Sequence, residues 1–161
     1  MNIVKVKMAD LNIAIAPDRL KTTGLGSCVG IVLYDKKSKI GGMAHIMLPS
    51  SKMVSIGEIN EAKYADTAIP AMLAEMIKKG ADKNYIIAKL AGGSQMFQFK
   101  TANDLMRIGP RNVESSREIL NELKIKIVSE DTGGSIGRTI EFDALTGILH
   151  IKTANQGVNQ I

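Results

Sequence analysis

The order of the predicted elements constrains the fold most strongly, because strands dominate both ends of the chain and two helices lie between them. Near the start, Leu11, Ile13 and Ile15 alternate with Asn and Ala residues, a pattern typical of a half-buried strand. A β-branched run over 29–34, a polar turn and a return strand over 40–48 predict a hairpin. This order favours an α+β fold of layered mixed β-sheets flanked by helices over a doubly wound parallel sheet.

The middle of the chain carries both predicted helices. The first, over 63–79, places apolar residues at three-to-four spacing and ends at Gly80. The second is expected over 110–123, with a proline in its first turn. Further strands are expected at 84–90, 125–129, 138–142 and 148–151. These elements form one predicted domain over 1–152, and we expect the polar tail over 153–161 to fray.

Composition excludes several classes of protein. The 161 residues include one cysteine, so no internal disulfide can form, and no signal peptide or long apolar run is visible. These features predict a cytoplasmic protein with no membrane insertion. The net charge of +5 is scattered and the chain lacks Trp, which argues against nucleic-acid binding. One Cys and two His are too few for a structural zinc site, and we expect neither metal nor cofactor.

The single cysteine, Cys28, lies where a glycine-rich turn meets a strand. A free cysteine is often only a small buried hydrophobe. Here the turn over 22–27 would leave a nucleophile exposed at the end of a rigid element, with space for a substrate carbonyl beside the glycines. The backbone N–H groups of Gly26 and Ser27 are the candidate oxyanion donors. The sequence therefore makes Cys28 a candidate nucleophile, although the glycines also fit a plain turn.

His45 is the candidate base, since it interrupts an apolar strand and the only other histidine, His150, lacks comparable neighbours. If the hairpin loop has two residues, Cys28 lies directly opposite His45. If the loop is 36–39, Cys28 opposes Met47, and His45 is its diagonal neighbour on the same face. An odd-length loop would separate the two side chains unless a bulge restored the register.

A Cys–His pair needs a third group that fixes the imidazole tautomer. Thr22 lies six residues before Cys28, and its hydroxyl or carbonyl could accept the other ring N–H. A threonine at this position is equally compatible with a simple turn residue. Thr22 is therefore the third candidate of the catalytic set.

Several segments together resemble one known family. The stretch 22–28, Thr-Thr-Gly-Leu-Gly-Ser-Cys, resembles the nucleophile motif of the CheD family of chemoreceptor glutamine deamidases. The stretch 42–49, Gly-Met-Ala-His-Ile-Met-Leu-Pro, is similar to the histidine motif of that family. Further similar segments follow in family order at 63–68, 91–94, 109–113 and 130–134. The resemblance spans nearly the whole chain.

The resemblance implies a catalytic triad of Cys28, His45 and Thr22. It implies hydrolysis of glutamine side-chain amides on methyl-accepting chemotaxis receptors, through a thioester and with release of ammonia. It also implies a fold similar to deamidating toxin domains of the CNF-like type, and a CheC-type phosphatase as a regulatory partner. From the residues themselves, Phe97 and Phe99 are candidate anchors for a partner helix, or alternatively plugs in the core.

Three other functions use the same residues. A transglutaminase would form the same thioester and pass it to an amine. A cysteine protease would need a longer cleft than a chain of this size offers. A non-enzymatic adaptor would keep Cys28 buried and inert, and slow alkylation of the folded protein would identify it.

Overall fold

The structure is a computed structural model, and it describes residues 1–53, 57, 59–95, 107–154 and 156–161. Within these residues the chain forms ten strands and two α-helices. The strands are β1 (Ile3–Lys5), β2 (Asp10–Ile15), β3 (Arg19–Leu25), β4 (Val29–Asp35), β5 (Ile40–Ile46), β6 (Ile86–Gly92), β7 (Lys126–Thr132), β8 (Arg138–Asp143), β9 (Ile148–Thr153) and β10 (Gly157–Gln160). The helices are α1 (Ala65–Lys78) and α2 (Ile108–Glu122).

The strands form two mixed five-stranded sheets. The first sheet has the order β1-β3-β8-β9-β10, and the second has the order β2-β5-β4-β6-β7. Each sheet contains one parallel pair, β1 with β3 and β6 with β7, whereas the remaining neighbours are antiparallel. The predicted β4–β5 hairpin therefore occupies the centre of the second sheet.

Two apolar clusters divide the molecule into three layers. One cluster joins alternate residues of β4, such as Val29 and Ile31, to the buried face of α1. The other joins the intervening residues, such as Val32 and Tyr34, to Ile140 and other residues of the first sheet. The second sheet is thus covered on both faces, which explains why every residue of β4 and β5 is buried.

The two helices cover the outer face of the second sheet. The apolar stripe predicted for the first helix is confirmed for six of its seven residues, which are buried: Ala65, Ala68, Ile69, Met72, Leu73 and Met76. The seventh, Ile77, is exposed. The second helix begins at Ile108, two residues earlier than predicted. In the part of the chain that the structure describes, neither helix combines the length and apolar character needed to cross a membrane.

The α+β class with layered mixed sheets is confirmed, whereas the likeness to deamidating toxins stays a prediction. Two local expectations were wrong. The segment before the cysteine is not simply a turn, because β3 runs through Thr22 and Thr23, with an irregular register to β8 between Thr22 and Leu25. The tail is not frayed along its length, because β10 pairs with β9 from Gly157 to Gln160.

Candidate active site

Thr22 and His45 meet between the two sheets. The Thr22 hydroxyl lies 2.7 Å from His45 Nδ1 and 2.7 Å from the carbonyl oxygen of Val6. A hydroxyl has one proton, and a carbonyl oxygen can only accept, so Thr22 donates to Val6. Thr22 must then accept from His45, which assigns the ring hydrogen to Nδ1. The neutral imidazole consequently carries its free lone pair on Nε2.

Cys28 faces the same layer as His45. Asp35 pairs with Ile40 across the hairpin, so the loop is 36–39, and His45 lies directly opposite Gly30. Cys28 precedes Gly30 by two residues, which places it diagonally from His45 and on the same face. This is the second of the two registers that the sequence left open. Cys28 also packs in the apolar cluster between the sheets and is only 7% exposed, so the expectation of an exposed nucleophile was wrong.

His45, the candidate base, has one ring nitrogen without a hydrogen-bond partner among the described residues. Among the described residues, nothing forms a hydrogen bond with His45 Nε2, although the atom is buried. Cys28 Sγ is therefore outside hydrogen-bonding geometry with Nε2, while it shares the same layer. Buried side-chain nitrogens are normally hydrogen-bonded, and Nε2 is one of six buried side-chain atoms without a partner among the described residues.

The turn before the nucleophile is held by the segment that follows β6. Gly93 N–H donates to Cys28 O at 2.8 Å, and Ser94 N–H donates to Gly26 O at 2.8 Å. Gly26 N–H donates to Gly24 O at 3.1 Å, so Gly26 is already engaged within the turn. In the described parts of the chain, the N–H of Ser27 has no acceptor. A side chain on Gly92 would collide with Cys28 O.

Burial shifts the pKa values of Cys28 and His45 in the directions that favour their neutral forms. Burial raises the pKa of the Cys28 thiol, and a hydrogen bond from its own backbone N–H acts weakly in the opposite direction. Burial also lowers the pKa of the His45 imidazole. Desolvation penalises whichever form is charged, so burial favours the thiol and the neutral imidazole over a thiolate and an imidazolium.

Two residues in contact with this site were not identified from the sequence. Val6, just beyond β1, supplies the carbonyl that orients the Thr22 hydroxyl. Asn112, on α2, is fully buried and donates from Nδ2 to the carbonyl oxygens of Ser27 and Met47. The sequence did contain a signal for Asn112, which lies four positions before Ser116 and therefore on the same buried face of the helix. A polar side chain on such a face needs hydrogen-bond partners.

A basic groove lies outside the first sheet, next to the same turn. It has a volume of about 540 Å³, and its lining includes Lys21, Thr23, Gly24, Arg138 and Lys152. No Asp or Glu lines this groove among the described residues. The candidate docking residues Phe97 and Phe99 lie outside the described residues, so their role stays a prediction.

The comparisons with known proteins agree on one family. The sequence model of that family, "CheD chemotactic sensory transduction", matches residues 47–153. The match begins two residues after His45, so it does not include the candidate triad.

Full-length relatives extend the similarity to the N-terminal part. The chain is 53% identical over 159 residues to "Chemoreceptor glutamine deamidase CheD" of Bacillus subtilis (strain 168), covering 99% of this chain and 96% of the relative. It is 53% identical over 160 residues to the protein of the same name from Halalkalibacterium halodurans, covering 99% of both chains. The "Probable chemoreceptor glutamine deamidase CheD" of Caldanaerobacter subterraneus is 51% identical over 159 residues, covering 99% of this chain and 98% of the relative.

Proposed function

The chain belongs to the CheD family, and from that premise we propose that it is a chemoreceptor glutamine deamidase. It hydrolyses the side-chain amides of selected glutamines to glutamates and releases ammonia. One observation carries the assignment of the site: the Thr22 hydroxyl fixes the tautomer of His45, which leaves Nε2 unpaired in the layer that contains Cys28. This arrangement matches the requirements for an activated cysteine nucleophile.

The first step is attack by the thiol on the substrate amide. His45 Nε2 takes the proton of Cys28 as Sγ bonds to the side-chain carbonyl carbon of glutamine. Because burial disfavours both charged forms, this proton transfer accompanies the attack and does not precede substrate binding. The resulting imidazolium keeps its Nδ1–H on the Thr22 hydroxyl, which holds Nε2 in place for the next transfer.

The second half of the reaction breaks the C–N bond and then the thioester. The imidazolium returns its proton to the nitrogen, which leaves as ammonia, and a thioester between Cys28 and the glutamate side chain remains. His45 then removes a proton from water as that water attacks the thioester carbonyl. As the C–S bond breaks, the imidazolium returns its proton to the departing sulfur, which restores the thiol and releases the carboxylic acid. The acid then loses its proton in solvent, where ammonia becomes ammonium, so atoms and charge balance over the cycle.

The oxyanion formed at each attack needs hydrogen-bond donors. We assign this role to the backbone N–H groups of Ser27 and Cys28, because Gly26 N–H is already occupied by Gly24 O. Ser94 N–H holds Gly26 O, and Asn112 Nδ2 holds Ser27 O. These two carbonyl groups share their peptide planes with the N–H groups of Ser27 and Cys28, so both donors are fixed in direction. A donor that is fixed in advance stabilises the transition state without reorganisation.

We propose that the substrate is presented on an acidic helix of the receptor. Lys21 and Lys152 line the basic groove next to the nucleophile turn, and they would attract carboxylates on such a helix. We also propose a CheC-type phosphatase as a partner, on the basis of the family resemblance. Higher salt should weaken receptor binding, since exposed charges are screened.

Mass spectrometry of a receptor cytoplasmic domain incubated with the protein tests the proposed function. Each converted glutamine adds about one dalton, and Cys28→Ala is the matched control because it removes only the nucleophile. Ammonia release without incorporation of an added amine would distinguish the deamidase from a transglutaminase. Conversion that persists with Cys28→Ala would contradict the mechanism, and absence of conversion by the intact protein would contradict the function.

A further inference from the structure

One side chain on α2 joins the two segments that carry the nucleophile and the base. Asn112 Nδ2 donates to Ser27 O at 2.9 Å and to Met47 O at 3.0 Å. Ser27 immediately precedes Cys28, and Met47 follows His45 by two residues. The amide of Asn112 therefore bridges the open end of the β4–β5 hairpin, where direct strand pairing ends at Val29 and Ile46.

The orientation of this amide follows from its partners. Both contacted atoms are carbonyl oxygens, which only accept, so the nitrogen and not the oxygen of the side chain must face them. Asn112 Oδ1 is buried, and it has no hydrogen-bond partner in the described regions. An unpaired buried carbonyl is unfavourable for stability, so the contacts of this amide that favour its position are those made by Nδ2.

The first turns of α2 are packed tightly onto the same region. A side chain at Gly109 would collide with the carbonyl oxygen of Ser94, the residue whose N–H holds Gly26 O. Ser115 Oγ also donates to Pro49 O at 2.7 Å, beyond the end of β5. The start of α2 therefore contacts both sides of the site, and Asn112 lies between them.

We propose that Asn112 is a positioning residue that sets the separation of Cys28 Sγ and His45 Nε2. It acts through the backbone on both sides and is distinct from Thr22, which orients the imidazole ring itself. Displacement of reacting groups by about 1 Å can cost on the order of 100-fold in rate. Loss of the bridge should therefore lower kcat about 10- to 100-fold and leave KM within about threefold.

Two variants and one matched control separate positioning from a purely structural role. Asn112→Ala removes the bridge, and Asn112→Asp keeps the shape but places a carboxylate against the two carbonyl oxygens. The control is Ser116→Ala, because Ser116 is equally buried one turn further along α2 and bonds to Asn112 O at 2.7 Å. It contacts neither Ser27 nor Met47 in these bonds, so kcat should change less than about threefold.

A second readout does not depend on the proposed function. Iodoacetamide alkylates Cys28, and the ratio of the rates before and after His45→Ala measures how strongly the imidazole assists the thiol. In the Asn112→Ala background this ratio should fall toward one, as in a double-mutant cycle between coupled groups. If the intact protein deamidates no receptor but the ratio still falls, the proposed function fails and the positioning role stands.

Other outcomes overturn the positioning role. An unchanged ratio in both Asn112 variants would do so, as would alkylation that is insensitive to His45 in the otherwise intact protein. A drop in kcat of the same size with Ser116→Ala would assign the effect to the stability of α2. Failure of both Asn112 variants to fold, while Ser116→Ala folds, would make Asn112 a structural residue.

Discussion

The two ends of the β4–β5 hairpin each hold a buried ionisable side chain, but the two side chains differ in how many of their polar atoms have hydrogen-bond partners. At the turn, Asp35 accepts hydrogen bonds from the N–H groups of Lys37, Ser38 and Asp82. At the open end, His45 has one partner, and its Nε2 has none in the described structure. A buried group that serves the fold uses its bonding capacity, whereas the candidate base keeps one lone pair available.

The electrostatics of the two ends differ in the same way. Burial alone would raise the pKa of Asp35, but the N–H groups of Asp82, Ser38 and Lys37 outweigh it and hold the pKa below its usual range. At His45 burial acts without such compensation and lowers the pKa. The turn therefore stabilises a charge, whereas the open end favours a neutral imidazole, which the proposed mechanism would charge only during the reaction.

The sharpest test of this contrast is loss of the reactive groups. Cys28→Ala and His45→Ala should each reduce turnover by more than about 1000-fold while the fold persists, because each removes an essential participant. Deamidation rates and circular dichroism measure the two effects. Asp35→Ala is the control, since it should leave kcat of the folded fraction unchanged. Unfolding of both site variants would instead favour a structural role for the open end.

At the turn, the expected effect is on stability. Asp35→Ala leaves three backbone N–H groups without their acceptor and should lower the free energy of unfolding by about 3 kcal/mol. Urea denaturation measures the change. Asp18→Ala is the control, because the Asp18 carboxylate accepts one exposed hydrogen bond, from Asn2 N–H. If Asp35→Ala lowers the free energy of unfolding no more than Asp18→Ala does, the buried hydrogen bonds at the turn do not stabilise the protein more than an exposed one.

Removing only the orienting hydroxyl should have an intermediate effect on rate. Thr22→Val keeps the shape but leaves His45 Nδ1–H without its acceptor, so kcat should fall about 10- to 30-fold. Thr146→Val is the control, because Thr146 is an exposed threonine that lines neither the site nor the basic groove. Full activity of Thr22→Val would mean that the tautomer is fixed by something else.

The smallest expected effect is on the pH dependence of folding. The unfolded chain binds a proton at His45 near pH 6.5, whereas the folded protein resists it, so the free energy of unfolding should fall as pH drops below about 6.5. The slope cannot exceed about 1.4 kcal/mol per pH unit for one group. Asp35, whose pKa is lowered, should add its own loss only below about pH 4.

Substitution separates this contribution from other titrating groups. His45→Gln should flatten the decline of the free energy of unfolding below about pH 6.5, as measured by urea denaturation. An equal slope in the protein and in His45→Gln would show that burial of the imidazole has no linkage to folding.

Much of the fold could be predicted because its signals are local. The β-branched residues of β4 and the apolar stripe of α1 identify these elements from short windows of sequence. Strand β3 was missed because Thr22-Thr23-Gly24 fits a turn, and its pairing with β1 and β8 is visible only in three dimensions. The tail was misjudged for a similar reason, since β10 has few apolar residues and depends on β9.

The candidate site could be predicted less completely than the elements that hold it. Cys28, His45 and Thr22 were chosen from their residue types and spacing, and the structure brings the last two into contact. The hairpin register stayed open because the loop depends on Lys39, a non-glycine residue with a φ of +57°, which sequence patterns do not predict. Asn112 was missed because 84 residues separate it in the chain from Cys28.

The hydrogen bonds from Thr22 to Val6 and from Asn112 to the hairpin have a consequence for protein synthesis. A ribosome completes the nucleophile turn long before it reaches α2 or β8, which pairs with β3. Until those segments are present, the open end of the hairpin lacks its bridge from Asn112, and β3 lacks its pairing with β8. Under the proposed mechanism, amide hydrolysis therefore requires the last third of the chain. A product that ends before α2 should not deamidate receptors, although it contains Cys28, His45 and Thr22.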